Sequence, residues 1–317
     1  MKNTLGKADF ASITGSPLWG VSVNRVKLGY IQRGWECNFD GRPDTPYGIG
    51  PRTIVFNTMG RNILWIPSYG GVSGQDWHLH ETQHKVFWIL WKAGVKVLII
   101  GGTSGIADWR KEGKILPGDI VLPWSFRTSP NHRGLPGTEY ETSWPKYDLT
   151  LDDPFCTVLA EDLQKETQKH LRQIGKVHTP DNVRVALVVP DGITFETNYD
   201  ILMWMAINKM ASSFEPDKPP IVSLHGDCIN PVLARLLGIH VAYYHMVANV
   251  AQGLPMEESI TESLYRLYVN NFPEVAFEME ANLLENISVP NGSQCACITS
   301  LHQAPEVFSS AMTEAQI

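Results

Sequence analysis

No apolar run in this 317-residue chain is long enough to span a bilayer. The longest strongly apolar stretch, Val86–Trp91, is stopped by Lys92 and falls far short of the ~20 residues a membrane helix needs. The first twenty residues, MKNTLGKADFASITGSPLWG, lack the continuous apolar segment of a secretory signal. A basic excess is also missing: Lys+Arg 26 stands against Asp+Glu 33, a net charge of -7 with a pI near 5.8. A protein that tracks nucleic-acid phosphates normally carries the opposite balance. Cysteine is scarce and odd in number, with five residues at 37, 156, 228, 295 and 297. Only Cys295 and Cys297 are close in sequence, and no spacing suits a zinc knuckle or a disulfide framework. A soluble, cytoplasmic protein is expected, with no membrane or nucleic-acid partner and no bound metal.

What is present is a core. Hydrophobic residues make up 43% of the chain and aromatics 10%, which excludes disorder over most of its length. Short apolar runs alternate with helical segments. Strands are expected at Asn62–Pro67, Val95–Ile100, Ile120–Leu122, Val183–Val189, Ile221–Leu224 and Val241–Tyr244. The first long run, Val95–Ile100, should end in a loop at Gly101-Gly102. Helices are expected at His80–Lys92, closed by Gly94, at Phe155–Ile174 after Asp152, Asp153 and Pro154, at Pro231–Leu237 and at Ser259–Asn270. This alternation favours an α/β single domain with a central mixed β-sheet flanked by helices on both faces. Residues 1–287 would form it, with 288–317 a loosely attached tail rich in Ser, Gln and Pro. The Thr128–Asp153 stretch, holding His132 and Tyr140, reads as a long excursion from the core. Tryptophans 65, 77, 88 and 91 read as core or subunit-contact residues.

Three segments suggest chemistry. In Ile13-Thr14-Gly15-Ser16-Pro17-Leu18, a small-residue turn leaves backbone N–H groups beside a hydroxyl, an arrangement that can hold an anion. Asp191-Gly192-Ile193-Thr194-Phe195-Glu196-Thr197 follows an expected strand and puts an aromatic ring next to a carboxylate. Such a pair can stack on a flat heterocycle and accept its N–H hydrogens. Met246-Val247-Ala248-Asn249-Val250-Ala251-Gln252-Gly253 follows another strand with an amide that can both donate and accept. Strand ends are where ligands collect in open α/β sheets. Each segment taken alone is more simply a turn or a polar loop cap.

Taken in order, these segments resemble the nucleoside phosphorylase family, of the purine nucleoside and methylthioadenosine phosphorylase type. Asp44-Thr45-Pro46-Tyr47-Gly48 is similar to its D-T-P-F-G turn, and Gly101-Gly102-Thr103-Ser104-Gly105-Ile106 to its small-residue base loop. Pro117-Gly118-Asp119-Ile120-Val121 and Pro154-Phe155-Cys156 match its P-G-D-I-V and P-F-C segments. The resemblance implies a cytoplasmic, trimeric enzyme of purine metabolism, a glycosyltransferase that moves the ribosyl group of a nucleoside to phosphate. It implies no cofactor beyond inorganic phosphate as co-substrate. Phe195 would pack on the base, Glu196 would bond its N1–H edge, and Asn249 would hold N7 and O6 of the leaving purine. Asn at that position goes with 6-oxopurines in the family, Asp with 6-aminopurines. Thr103 would sit near the base, His225 near the ribose in place of a methionine, and Ser16 at phosphate. A neighbouring subunit would close the site, with His132 in the excursion as candidate contact.

The phosphate half departs from the pattern. The family's Arg-His-Gly reads Ser68-Tyr69-Gly70, its N-Y-x-A-N start has no counterpart near Thr82–Phe87, and its M-T-x-x-P-E segment reads His225-Gly226-Asp227-Cys228-Ile229-Asn230. A phosphate-independent nucleosidase, or a nucleoside binder without turnover, therefore stays open. His80-Glu81-Thr82-Gln83-His84 also fits H-E-x-x-H, the zinc-protease helix, but no third ligand stands where one is needed. His78, His80 and His84 instead fall where the family presents ribose and phosphate contacts, which makes His80 a candidate substrate ligand. Surface and capping histidines are the plainer alternative.

Overall fold

The computed structural model describes residues 5–68, 80–127, 147–149, 151, 153–188, 196–213, 220–225, 231–251, 253–255, 260–297 and 301–303. Strand β1 (Phe10–Thr14) is buried at all five positions and runs parallel between its two neighbours, as a central strand covered on both faces must. Helix α1 (Val23–Gln32) begins at Ser22, whose hydroxyl accepts from the Arg25 N–H. It leads to β2 (Glu36–Gly41) and a small hairpin of β3 (Asp44–Thr45) and β4 (Gly48–Ile49). Next come β5 (Thr53–Thr58) and β6 (Arg61–Pro67), an antiparallel pair joined by Met59 and Gly60. Both have positive φ, 51° and 76°, the conformation a two-residue hairpin turn requires.

Helix α2 (His80–Ala93) closes as expected at Gly94, φ 80°. Gly94 N–H bonds to the Trp91 carbonyl and Val95 N–H to the Leu90 carbonyl, which together satisfy the helix end. Strand β7 (Val97–Ala107) then runs eleven residues and does not stop at Gly101-Gly102. The expectation of a loop there is corrected. The small residues continue the strand because β7 finds partners along its whole length: β1 on one side, and on the other β14 (His240–Val250), with β13 (Pro220–His225) antiparallel to its last part. Strand β14 also runs on past the expected Tyr244 to Val250.

The remaining strands are β8 (Ile120–Val121), β9 (Ser125–Phe126), β10 (Tyr147–Leu149), β11 (Val177–His178), β12 (Arg184–Val188) and β15 (Leu301–Gln303). Among the described residues an eleven-stranded mixed sheet runs β11-β8-β14-β7-β1-β6-β5-β2, with β13, β12 and β9 branching from β7. Helix α3 (Thr157–Gln168) starts two residues after the expected Phe155, with Cys156 as its cap, and ends six before Ile174. The chain must leave the helix there so that Gly175 N–H can reach the Gly118 carbonyl and Lys176 can meet β8. Helices α4 (Asn198–Ala211), α5 (Pro231–Leu236), α6 (Ile260–Tyr265) and α7 (Phe272–Asn286) complete the chain, with a π-helical turn, Arg266–Asn271, between the last two.

Alternate residues of the central strands face opposite sides. Phe10, Val97, Ile99, Ala242 and Tyr244 pack under α1, α3 and α7. Ala11, Ile13, Leu98, Ile100, Val241 and Tyr243 pack under α2 and α5. The expected helices on both faces are present. Beyond α7, Val289 and Cys295 pack on the first of these cores and Cys297 is buried in it. No helix among the described residues is long and apolar enough to cross a membrane.

Candidate functional site

The end of β1 builds the first wall. Gly15 N–H bonds to the Gly101 carbonyl at 2.9 Å, holding the turn into Ser16–Leu18 against β7. Two residues further along β7, the Thr103 hydroxyl shares hydrogen bonds with the Ser16 and Tyr268 hydroxyls, each at 2.6 Å. Tyr268 comes from the π-helical turn, the kind of helix irregularity that often marks a functional position. Its backbone lies so close that a Cβ on Gly20 would sit 2.3 Å from the Tyr268 carbonyl oxygen. The Trp19 ring meets Tyr268 edge-on at 5.6 Å. Ser16 and Thr103, both expected in the site, are thus brought together. Tyr268 was not anticipated, since nothing in its local sequence distinguishes it from a tyrosine on an ordinary helix.

The second wall is the far end of β14. A register shift between Val247 and Asn249 places Asn249 opposite Gly105 of β7. Such bulges re-aim a side chain at a sheet edge. A Cβ on Gly105 would lie 3.1 Å from Asn249 Nδ2, so the glycine makes room for the amide. Asn249 Nδ2 donates to the Val250 carbonyl at 2.7 Å, which fixes which end of the amide is which. His225, the last residue of β13, pairs in register with Ser104 of β7, and Ser223 donates to the Ser104 hydroxyl at 2.6 Å.

Glu196 is half-buried just ahead of α4. That helix starts with a capping box, in which the Thr197 hydroxyl accepts from the Asp200 N–H and the Asp200 carboxylate accepts from the Thr197 N–H. A Cβ on Gly253 would fall 2.3 Å from Asn198 Oδ1, so the start of α4 lies against the segment that follows Asn249. The Glu196 and Asn249 segments therefore share one edge of the sheet. Phe195 and residues 128–146 with His132 lie outside the described residues, as do the side chains of His80 and His225. His84 of the H-E-x-x-H motif packs its ring 5.4 Å from Tyr47. Where the family pattern has an arginine, Ser68 is buried and its N–H bonds to the Thr14 carbonyl.

Under the first wall lies a buried carboxyl. Glu280 of α7 accepts from the hydroxyls of Ser12 at 2.7 Å, Thr14 at 2.6 Å and Tyr244, while Trp65 Nε1 donates to Thr14 at 3.1 Å. Burial pushes the Glu280 pKa up, and the three hydroxyl donors only partly offset it. A Cβ on Gly101 would stand 2.3 Å from the Tyr244 oxygen and 2.7 Å from Glu280 Oε1, so a side chain at 101 would break the network. The sequence carries a signal for it. Glu280 falls on the apolar stripe Ala276, Met279, Leu283, Leu284, where a carboxyl has to find buried donors.

Three of the cysteines, Cys156, Cys295 and Cys297, meet around His240, with all four ligand atoms within 4.8 Å of one another.

No protein-family model matches the sequence, and no curated protein matches it. Solved structures do match the fold. A methylthioadenosine phosphorylase from an Antarctic soil metagenomic library is 16% identical with a TM-score of 0.64, over 93% of this chain and 91% of that one. A doubly substituted adenosine/methylthioadenosine phosphorylase from Schistosoma mansoni, in complex with adenine, is 14% identical with a TM-score of 0.66, over 95% and 100%. Methylthioadenosine phosphorylase from the same organism, in complex with tubercidin, is 15% identical with a TM-score of 0.64, over 93% and 98%. The chain has the nucleoside phosphorylase fold along nearly its full length.

Proposed function

We propose that this protein is a pentosyltransferase that cleaves the N-glycosidic bond of a purine nucleoside, or of a 5′-modified nucleoside of the methylthio type, with phosphate as the attacking group. The observation that supports this reading is the convergence of Ser16, Thr103 and the Asn249 strand end at one edge of a phosphorylase-like sheet. A phosphate oxygen attacks C1′ of the ribose as the C1′–N9 bond breaks and its electrons pass to the purine. Asn249 stabilises the charge that develops at N7 and O6, Glu196 bonds the N1–H edge, and Phe195 packs on the ring. Ser16 contacts phosphate, Thr103 lines the base side, and His225 and His80 contact the sugar. An amide at 249 favours a 6-oxopurine, and the active unit is a homotrimer. These roles need no cofactor.

A second reading is hydrolysis by water, favoured by Ser68 at the strand end where an arginine would grip phosphate. Base release from inosine, guanosine, adenosine and methylthioadenosine, followed with and without phosphate, tests both. Release that requires phosphate and yields the ribosyl phosphate supports the first reading. Equal release without phosphate replaces it with the second, and tight binding with no release on any substrate rejects both.

A further inference from the structure

We propose that Cys156, His240, Cys295 and Cys297 form a closed, tetrahedral site for a zinc-class divalent metal ion. The four residues come from three separate places: the cap of α3, the first residue of β14, and the turn that follows α7. Their ligand atoms all lie within 4.8 Å of one another. His240 Nδ1 is 3.7 Å from Cys156 Sγ and 3.3 Å from Cys295 Sγ. Metal–sulfur bonds of ~2.3 Å and metal–nitrogen bonds of ~2.0 Å at tetrahedral angles give sulfur–nitrogen edges of ~3.5 Å, which those two distances bracket. Three of the four residues are buried and the fourth is half-buried. Three thiolates and one imidazole are a structural zinc set, and four protein ligands leave no position for a substrate or water.

The surroundings suit the charge of such a centre. Three thiolates around a divalent ion carry a net single negative charge. Arg235, fully buried, donates from Nη2 to the carbonyl of Ala296 at 2.9 Å, between the two C-terminal cysteines. Its positive charge balances the centre and orients the C-A-C turn, as outer-shell donors do at metal sites. The backbone is already in place, since Cys156 N–H bonds to the Val241 carbonyl at 2.8 Å, beside His240.

The metal would be structural and not catalytic. It lies at the start of β14, and Asn249 stands nine residues on, roughly 30 Å away at ~3.3 Å per residue. Its work would be to clip residues 288–297 to the core. Strand β15 pairs with β10 just beyond that segment. This inference does not depend on the reaction proposed above.

The test is elemental analysis of the full-length, untagged protein after exhaustive dialysis, with thiol titration in denaturant. The expected result is about one zinc per chain, lost on treatment with a mercurial, and all five cysteines reactive once unfolded with chelator. Cobalt reconstitution should give thiolate-to-cobalt charge-transfer absorption and tetrahedral ligand-field bands. Cys295→Ser and His240→Ala should lower the bound metal at least tenfold, while Cys37→Ser leaves it unchanged. Should the ligand variants fail to fold, cobalt spectra of the wild type still decide. Metal-free protein with a disulfide among these cysteines overturns the proposal, as do metal-free protein with every thiol reactive, and metal retained in Cys295→Ser.

Discussion

Replacing Thr103 by valine removes one hydroxyl and almost no volume, so its effect isolates the hydrogen bonds at the first wall. Thr103 is buried, and its hydroxyl is bonded at 2.6 Å to both Ser16 and Tyr268, residues 87 and 165 positions away. A typical intramolecular hydrogen bond contributes ~0.5–1.5 kcal/mol net, so losing two costs about 1–3 kcal/mol. Threonine to valine is not a neutral exchange where the hydroxyl is engaged. The Ser16 and Tyr268 hydroxyls each lose one partner, and the π-helical turn is no longer tied to β7 at this point. Urea unfolding should show a lower midpoint with the slope unchanged, the signature of a stability loss without a change in the exposed surface. Thr103→Ser restores both bonds and should recover most of the difference. In the proposed reaction, kcat/KM for the preferred nucleoside should fall in Thr103→Val and return in Thr103→Ser. A valine variant as stable as wild type, within about 0.3 kcal/mol, would show that the hydroxyl cluster holds nothing together.

Four further outcomes follow from the same structure. Burial raises the Glu280 pKa above its ordinary 4.5, so its stabilising contribution is full below that pH and lost as pH rises through the folded-state value. Glu280→Gln keeps the neutral shape at every pH, and its stability relative to wild type should improve as pH rises from 4.5; parallel stability–pH curves would reject the raised carboxyl. Asp119 behaves in the opposite sense. Burial opposes its charge, but hydrogen bonds from His178 Nε2 at 2.8 Å and from the Lys176 and Leu116 N–H groups outweigh it and hold its pKa below 3.8. Its contribution is present above 3.8 and lost as pH falls through the folded-state value, so Asp119→Asn should cost about 1.5–3 kcal/mol near neutrality, and the gap from wild type should close in acid. Asn249→Asp should move base preference toward 6-aminopurines, measured as the ratio of kcat/KM for adenosine and inosine; an unchanged ratio removes Asn249 from the base. Glu196→Gln should lower kcat/KM by about 2–4 kcal/mol of transition-state stabilisation, and full activity would place Glu196 outside the site.

Much of the fold was legible because it is written in local patterns. The apolar run of β6, the strands β12 and β13, and the helix closed by Gly94 follow from short-range propensity and periodicity. The expected end of β7 at Gly101-Gly102 failed because pairing with β1, β14 and β13 along its length overrides the weak strand preference of the glycines. The early end of α3 was hidden for a similar reason: the turn at Gly175 is set by Asp119, whose Oδ1 would lie 2.0 Å from a Cβ there. At the candidate site, residue types after strands pointed to Ser16 and Asn249 and the family resemblance to Thr103, whereas Tyr268 and Glu280 reach it from helices far along the chain.

What the sequence by itself determined is therefore the alternation of elements, the burial of the central strands and the turns that need glycine, all properties of neighbouring residues. Tertiary structure alone decided which distant side chains meet: three hydroxyls from the turn after β1, from β7 and from a π-helical turn, and three cysteines with one histidine from the starts of α3 and β14 and the turn after α7. Periodicity reports which face a residue turns to. Only the order of strands in the sheet, set by pairing across long loops, reports what it finds there.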